Sequence, residues 1–414
     1  MARSWLLLFG PIIALPVSLV DCAHRSREAA SPLPVVRPFA DAGVAKLRDV
    51  DLNFNGLSSL FWDARSSKLW AITDDTGDPG RGSASLPRLY RLRLKWRPPL
   101  GLEIINEATF PIQNKDGVPY AMGELDPEAM LPTPWGGWLV SSESIPGGRR
   151  RGLVVSNGST EGAKLLLLDA QMRVTALGKL PKDFKAAPKG QPPRGLNPKN
   201  GWESLVPAEC PGKKGFCFGA ITEGPLFQEA DQFPDRSRWT QFRLWPDGAL
   251  ETLRENFYEA DPHPTPQVLG FRPSRFDRGV SDVLAVGDGS FLVMERGFYM
   301  DSESPGHKAN VIRLFRARLP ARPGAAVTKL LWANITELEP WLRRQSELYR
   351  KAETPIDNLE GLAFIPADPA TGRPPLLLLM SDNNFNPSEN THILFLTHPK
   401  FPQNEFAPER GANR

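Results

Sequence analysis

The sequence predicts an all-β fold: a β-propeller of five to six blades with long loops and one short helical insertion. Three observations predict it. One strand–turn–strand unit recurs five times, turn formers are dense throughout, and only one stretch carries a helical pattern. The 414 residues include 42 Pro and 35 Gly, a load that favours many short strands over long helices. The 11 Trp and 22 Phe suit the flat faces of stacked sheets, and a chain that is 41% hydrophobic can bury a real core.

The five units begin at Asn55-Gly-Leu-Ser58-Ser-Leu60, Asp126-Pro-Glu128-Ala-Met130, Gly201-Trp-Glu203-Ser-Leu205, Val280-Ser-Asp282-Val-Leu284 and Asn358-Leu-Glu360-Gly-Leu362. Each opens an apolar stretch, turns, and returns through a second apolar stretch to an acid. The returning acids are Asp74 (followed by Asp75), Glu143, Glu223, Glu295 and Asp382. The intervening turns carry suitable residues, as in Thr133-Pro-Trp-Gly-Gly and Gly287-Asp-Gly. From Ser58 through Glu128, Glu203 and Asp282 to Glu360 the steps are 70, 75, 79 and 78 residues. A four-stranded blade needs roughly 40 to 50 residues, so each period holds one blade with long loops, or a blade and part of another. The rest of each period supplies outer strands such as Arg88 to Leu94 and Val311 to Arg316, where charge alternates with apolar residues as half-exposed strands require. Ile335 to Lys351 is the helix candidate, an insertion on a loop. Two independent β-sandwiches would not repeat one unit along nearly the whole chain.

Arg3 precedes an apolar stretch from Trp5 to Val20 that is broken by Pro11 and Pro16. A basic start and a short apolar run predict a secretory signal over residues 1–23, too short and too interrupted for a permanent membrane anchor. Leu19-Val20-Asp21-Cys22 is close to a bacterial lipoprotein box, although Asp21 stands where that box wants a small residue; lipidation of Cys22 is the alternative fate. A flexible segment is expected over 24–45 and the propeller over 46–405, in a monomer located in the periplasm or outside the cell. Export makes sense of Cys210 and Cys217, which flank a turn where an oxidising compartment would keep a disulfide; two free thiols are the alternative. Zinc ligation would need further Cys or His nearby. A net charge of +3, without a basic run interleaved with aromatics, argues against nucleic acid.

In an antiparallel pair, the start of one strand and the end of the next lie at the same end. Glu128 should therefore face Glu143, Glu203 face Glu223, Asp282 face Glu295 and Glu360 face Asp382, with Asp74 and Asp75 at the first unit. Around a common axis these acids crowd one opening, and carboxylates at short range repel unless cations, basic partners or raised pKa values compensate. Hard oxygen ligands in this number point to Ca²⁺ or Mg²⁺, with Ca²⁺ the expected cofactor. Arg278, Arg296 and Lys199 are the basic candidates nearby, and Asn383 and Asn384 add amide groups. Glu203, Glu360, Arg296 and Arg278 are the candidate catalytic residues. The bland alternative is that the acids hold loop amides and recur only because the blade corner recurs.

Asn358-Leu-Glu-Gly-Leu-Ala, Asp126-Pro-Glu-Ala and Ser381-Asp-Asn-Asn-Phe resemble the phytase-like family, described as having esterase-like activity of phytase, over roughly Asn53 to Thr397. The resemblance implies a β-propeller, export and phosphoester hydrolysis with Ca²⁺, on a small phosphorylated or other anionic substrate bound through the metal. No Gly-x-Ser-x-Gly elbow, Arg-His-Gly cluster, P-loop or dinucleotide fingerprint competes. His263, His307, His392 and His398 show no ligand spacing. Two other functions fit an acidic mouth: a non-catalytic envelope propeller holding Ca²⁺ or a cationic ligand, and a propeller lactonase or sugar dehydrogenase.

Overall fold

The recurring apolar runs fold as antiparallel sheets, one per unit. The computed structural model describes residues 41–49, 54–74, 86–121, 123–143, 149–150, 153–154, 163–188, 191–197, 200–212, 214–286, 289–304, 307–345, 347–352, 354–383 and 391–397. The expected signal at 1–23 with Cys22, and Asp75, Lys199, Asn384 and His398, lie outside them.

Two short strands come first, β1 (Asp41–Val44) and β2 (Lys46–Arg48). Blade one is β3 (Leu57–Asp63), β4 (Lys68–Thr73), β5 (Arg88–Arg97) and β6 (Gly101–Pro111), with β2 added parallel to β6. Blade two is β7 (Asp126–Pro132), β8 (Trp138–Glu143), β11 (Lys164–Leu168) and β12 (Val174–Leu177); β9 (Arg149–Arg150) and β10 (Leu153–Val154) pair separately within it. Blade three is β13 (Trp202–Pro207), β14 (Phe216–Thr222), β15 (Arg236–Leu244) and β16 (Leu250–Glu259). A one-turn helix, α1 (Pro266–Leu269), leads to blade four: β17 (Pro273–Ala285), β18 (Ser290–Asp301), β19 (Lys308–Arg318) and β20 (Thr328–Asn334). A 3-10 turn over Ile335–Leu338, then α2 (Glu339–Gln345) and α3 (Glu347–Lys351), form the expected helical insertion. Blade five is β21 (Asn358–Ile365), β22 (Leu376–Asp382) and β23 (Ile393–Thr397), completed by β1.

The blade count is therefore five. Each innermost strand touches that of the next blade, β3 on β7, β7 on β13, β13 on β17, β17 on β21 and β21 back on β3. β1 closes the ring by pairing with β23 from Asp41↔Thr397 to Val44↔Leu394. This corrects the expected boundary: residues 41–44 belong to the propeller, because without them blade five would expose a bare sheet edge.

The core sits between blades. Each of five buried apolar clusters joins two neighbours, as where Leu314 of blade four meets Leu379 of blade five. Sheets covered on both faces need continuous apolar strands. Leu376 to Met380 is such a run, buried throughout, and each of those side chains contributes about 1.5–3 kcal/mol. Ile335, Leu338, Leu342 and Tyr349 tuck the helical insertion into the same cluster. Cys210 and Cys217 form a disulfide with Cα atoms 5.1 Å apart, across the β13–β14 turn. No helix among the described residues is long and apolar enough to cross a membrane.

Candidate active site

At one level of every blade the innermost strand carries one residue more than its partner. The extra residues are Ser58, Glu128, Glu203, Ser281 and Glu360, each skipped between two paired neighbours. Such a bulge bends the strand and re-aims a side chain, and here it does so five times around one axis. The second-strand residues at this level are Asp74, Glu143, Glu223, Arg296 and Asp382, opposite Gly56, Asp126, Gly201, Gly279 and Asn358. Two expected positions in blade four are corrected by one residue each. Ser281, not Asp282, stands at the bulge, and Arg296, not Glu295, stands where the other blades place an acid.

Side chains within two residues of the bulge gather Asp126, Glu128 and Glu143 so closely that one oxygen from each lies within 4.8 Å of the others. Burial pushes the Glu128 carboxyl well above the usual range, and Glu203, Asp126, Glu143 and Asp74 push it further. Glu143 is raised by burial and by Asp126, although its Oε1 accepts the Gly201 amide at 2.5 Å. Glu203 is raised by burial and by the Glu143, Glu223 and Glu360 charges around it. The expected crowding of acids is thus present for Asp74, Glu128, Glu143, Glu203, Glu223, Glu360 and Asp382, with Asp126 added.

Arg296 lies across the other side of this mouth. Its guanidinium donates to Glu223 Oε1 at 2.5 Å and to Asn358 Oδ1, and stands 3.4 Å from Glu360 Oε1. Burial opposes its charge, but Glu223 and Glu360 outweigh that and hold its proton more tightly than usual. Asn200 donates to the second Glu223 oxygen, and Asn358 Nδ2 donates to Glu360 at 2.6 Å. Glu360 is pushed up to about 7 by burial, with Arg296 pulling the other way. Gly279 makes the approach of Glu223 feasible: a Cβ there would fall 2.2 Å from Glu223 Cγ and 2.6 Å from its carbonyl oxygen.

Three predicted site residues do not join the mouth. Asp282 is a strand staple. Its carboxylate accepts Ser204 Oγ at 2.7 Å, Val283 N at 2.7 Å and Leu362 N at 2.6 Å, tying β13, β17 and β21 together. Glu295 accepts Tyr258 Oη at 2.7 Å, Asp261 N at 2.9 Å and the Lys329 ammonium, in the flank between blades three and four. Arg278 pairs with Asp235 and donates to the Asp261 carbonyl, so it braces a loop rather than facing the acids. Asn383 accepts the Gly56 amide at 3.1 Å and donates to Asn55 at 3.1 Å, joining blade five to blade one.

One strand further out, and one residue off the mouth level, the residues facing Thr73, Ser142, Thr222, Glu295 and Ser381 are Arg88, Lys164, Arg238, Arg313 and His392. Arg238 pairs with Glu229 and, at 2.8 Å, with Glu255. His392 is visible in the sequence only as a histidine without ligand spacing, and Asp126, Arg88, Lys164, Arg238 and Arg313 are not marked there as site residues. The basic station was legible as a recurrence in its own right.

The family described as Phytase-like, esterase-like activity of phytase, matches residues 52–385. A search of curated proteins finds no match. Among solved structures, a mannose phosphorylase from Leishmania mexicana in complex with phosphate ion is 8% identical, with 87% of this chain and 89% of that chain covered and a TM-score of 0.36. The Malassezia sympodialis allergen Mala s 1 is 10% identical over 82% and 77% of the two chains, with a TM-score of 0.33. A glucose dehydrogenase is 14% identical over 86% and 99%, with a TM-score of 0.34. These likenesses are too loose to bear on chemistry.

Proposed function

We propose, from the premise that the chain belongs to the phytase-like family, that it is an exported hydrolase cleaving phosphate esters at the acidic mouth with a hard divalent cation, Ca²⁺. The observation that carries this reading is the approach of Asp126, Glu128 and Glu143 within 4.8 Å of one another, with the Arg296 guanidinium held by Glu223 across the mouth. The donor set fits the ion: every group is a hard oxygen, as Ca²⁺ or Mg²⁺ requires and Zn²⁺ does not favour. The raised carboxyls of Glu128 and Glu143 fit it as well: burial first, and the neighbouring acids after it, disfavour their charge, and a bound cation would offset both. When bound, the cation would neutralise phosphate charge and favour ionisation of the attacking water.

The chain's own groups would do the rest. Asp126, Glu128 and Glu143 would hold the ion. Arg296 would turn N–H donors to the phosphate oxygens, while Glu223, Asn358 and Glu360 fix its plane. Glu203, held towards its protonated form by burial, would give its proton to the leaving oxygen as the P–O bond breaks. Export is part of the same proposal and is supported by the Cys210–Cys217 bridge, which suits an oxidising compartment.

The test is phosphate release from inositol hexakisphosphate and from simple monoesters, with and without a Ca²⁺ chelator. Release that stops with chelator and with Glu203→Gln is the expected result. No release above that of a Glu203→Gln, Glu360→Gln double variant removes the hydrolase reading. The bond from Glu143 to the Gly201 amide favours a second reading, a propeller that binds Ca²⁺ without turnover. It would give Ca²⁺-dependent thermal stabilisation and no product.

A further inference from the structure

We infer that Arg296 is a built-in cation occupying the second of two equivalent cation stations, so that the mouth takes up one divalent ion rather than two. This rests on the metal-dependent reading above and extends it to the ion count and its place.

The register carries the first step. In blades one, two, three and five the second-strand residue at this level is Asp74, Glu143, Glu223 or Asp382, and only in blade four is it a cation, Arg296. The second step is the donor set. Around Arg296 stand Glu223 Oε1, Glu360 Oε1 and the Asn358 amide oxygen, two carboxylates and a neutral oxygen. Hard divalent cations take this kind of set. Around the first station stand Asp126, Glu128 and Glu143, and among the described residues no Lys or Arg pairs with Glu128 or Glu143.

Two serines add an independent observation. Ser58 and Ser281 occupy the bulge position that carries Glu128, Glu203 and Glu360 in the other blades. Each is 2% exposed, and neither hydroxyl has a hydrogen-bond partner among the described residues. Buried hydroxyls are ordinarily satisfied, so these two oxygens among the ring acids point to a partner that is not protein. In the order of the inner strands Ser58 follows Glu360 and precedes Glu128. Ser281 lies between Glu203 and Glu360. Both stations are thus built of hard oxygen donors, three carboxylates at one and two with an amide oxygen at the other, and the second is filled by a guanidinium.

The prediction is a gain of binding on removing a positive charge. Calcium titration calorimetry on the full chain, stripped beforehand with chelator, should count one ion for the wild type. Arg296→Gln should count two, the second weaker, because Glu223 and Glu360 are left facing each other with amide oxygens beside them. Arg296→Lys should remain at one. In the wild-type background Glu128→Gln should lose the ion, whereas Glu360→Gln should keep it. Two ions in the wild type, or one in a folded Arg296→Gln chain, overturns the inference and leaves the hydrolase reading standing. No ion in the wild type overturns both. Should Arg296→Gln fail to fold, the Glu128 and Glu360 variants decide: loss with Glu360→Gln and retention with Glu128→Gln is the overturning result.

Discussion

Asp282 offers a pH test of the fold that is separate from the chemistry of the mouth. Its side chain is 3% exposed, and burial pushes its pKa up to about 7, with the Ser204, Leu362 and Val283 hydrogen bonds pulling the other way. The unfolded chain releases this proton near pH 4, while the folded chain keeps it to about pH 7. Between those values the folded state binds more protons, so stability falls as pH rises, by about 1.4 kcal/mol per pH unit. The whole window amounts to about 4 kcal/mol. Asp282→Asn removes the titration. The asparagine can still accept the Leu362 amide and donate to Ser204 Oγ, and it gives up the bond from Val283 N, which also reaches Ser204 Oγ at 3.0 Å. That loss costs about 1 kcal/mol. The variant should thus be about 1 kcal/mol less stable near pH 4 and about 3 kcal/mol more stable at pH 8. Urea denaturation of both chains at pH 4, 6 and 8 measures the difference, from which titrations common to both chains cancel. A difference that stays constant, or that runs the other way with pH, refutes the reasoning.

Other outcomes follow from particular contacts. Gly279→Ala forces a Cβ against the Glu223 backbone and should destabilise by about 1–3 kcal/mol, read as a lowered denaturation midpoint. Cys210→Ser with Cys217→Ser opens a short loop and should cost roughly 2–3 kcal/mol; it should leave phosphate release intact, because the bridge spans the turn at the far end of β13 and β14 from the mouth. Ca²⁺ at about a hundred times its Kd should add about 2.7 kcal/mol to wild-type stability, and nothing to Glu128→Gln, in melts with and without chelator.

The fold was legible because it is written five times. Every returning strand named in the sequence exists, and the helix candidate becomes the 3-10 turn with α2 and α3. The closing strand was not legible. Asp41-Ala-Gly-Val carries no pattern of its own, and its partner β23 lies more than 350 residues away. At the site, Glu128, Glu203 and Glu360 were found because they recur at one bulge. The fourth unit failed for a physical reason. Alignment by acid type placed Asp282 and Glu295 in the ring, but successive strand residues point to opposite faces, so a slip of one residue moves a side chain away from the mouth. Asp126 could not be found by recurrence, since its equivalents are Gly56, Gly201, Gly279 and Asn358.

Blade four is where the repetition breaks, and the break is concentrated at the mouth. A ring built from five identical units would deliver five identical acids to one axis, and at close range each like pair would repel by up to about 4 kcal/mol at a partly screened dielectric. Ser281 instead of Glu removes one charge and Arg296 instead of an acid inverts another, both in the same blade. The same blade also has the longest inner hairpin: β17 pairs with β18 from Ala285↔Phe291 out to Pro273↔Asp301, six residues beyond Gly279. That extension brings Asp277 close enough for its charge to act on Glu223, Glu360 and Arg296. The pseudo-fivefold scaffold thus supplies rigidity and a surplus of oxygen donors, while one divergent blade gives the mouth a positive side and a negative side. An anion can be oriented only by such an asymmetry, because a uniform ring of carboxylates would repel it from every direction.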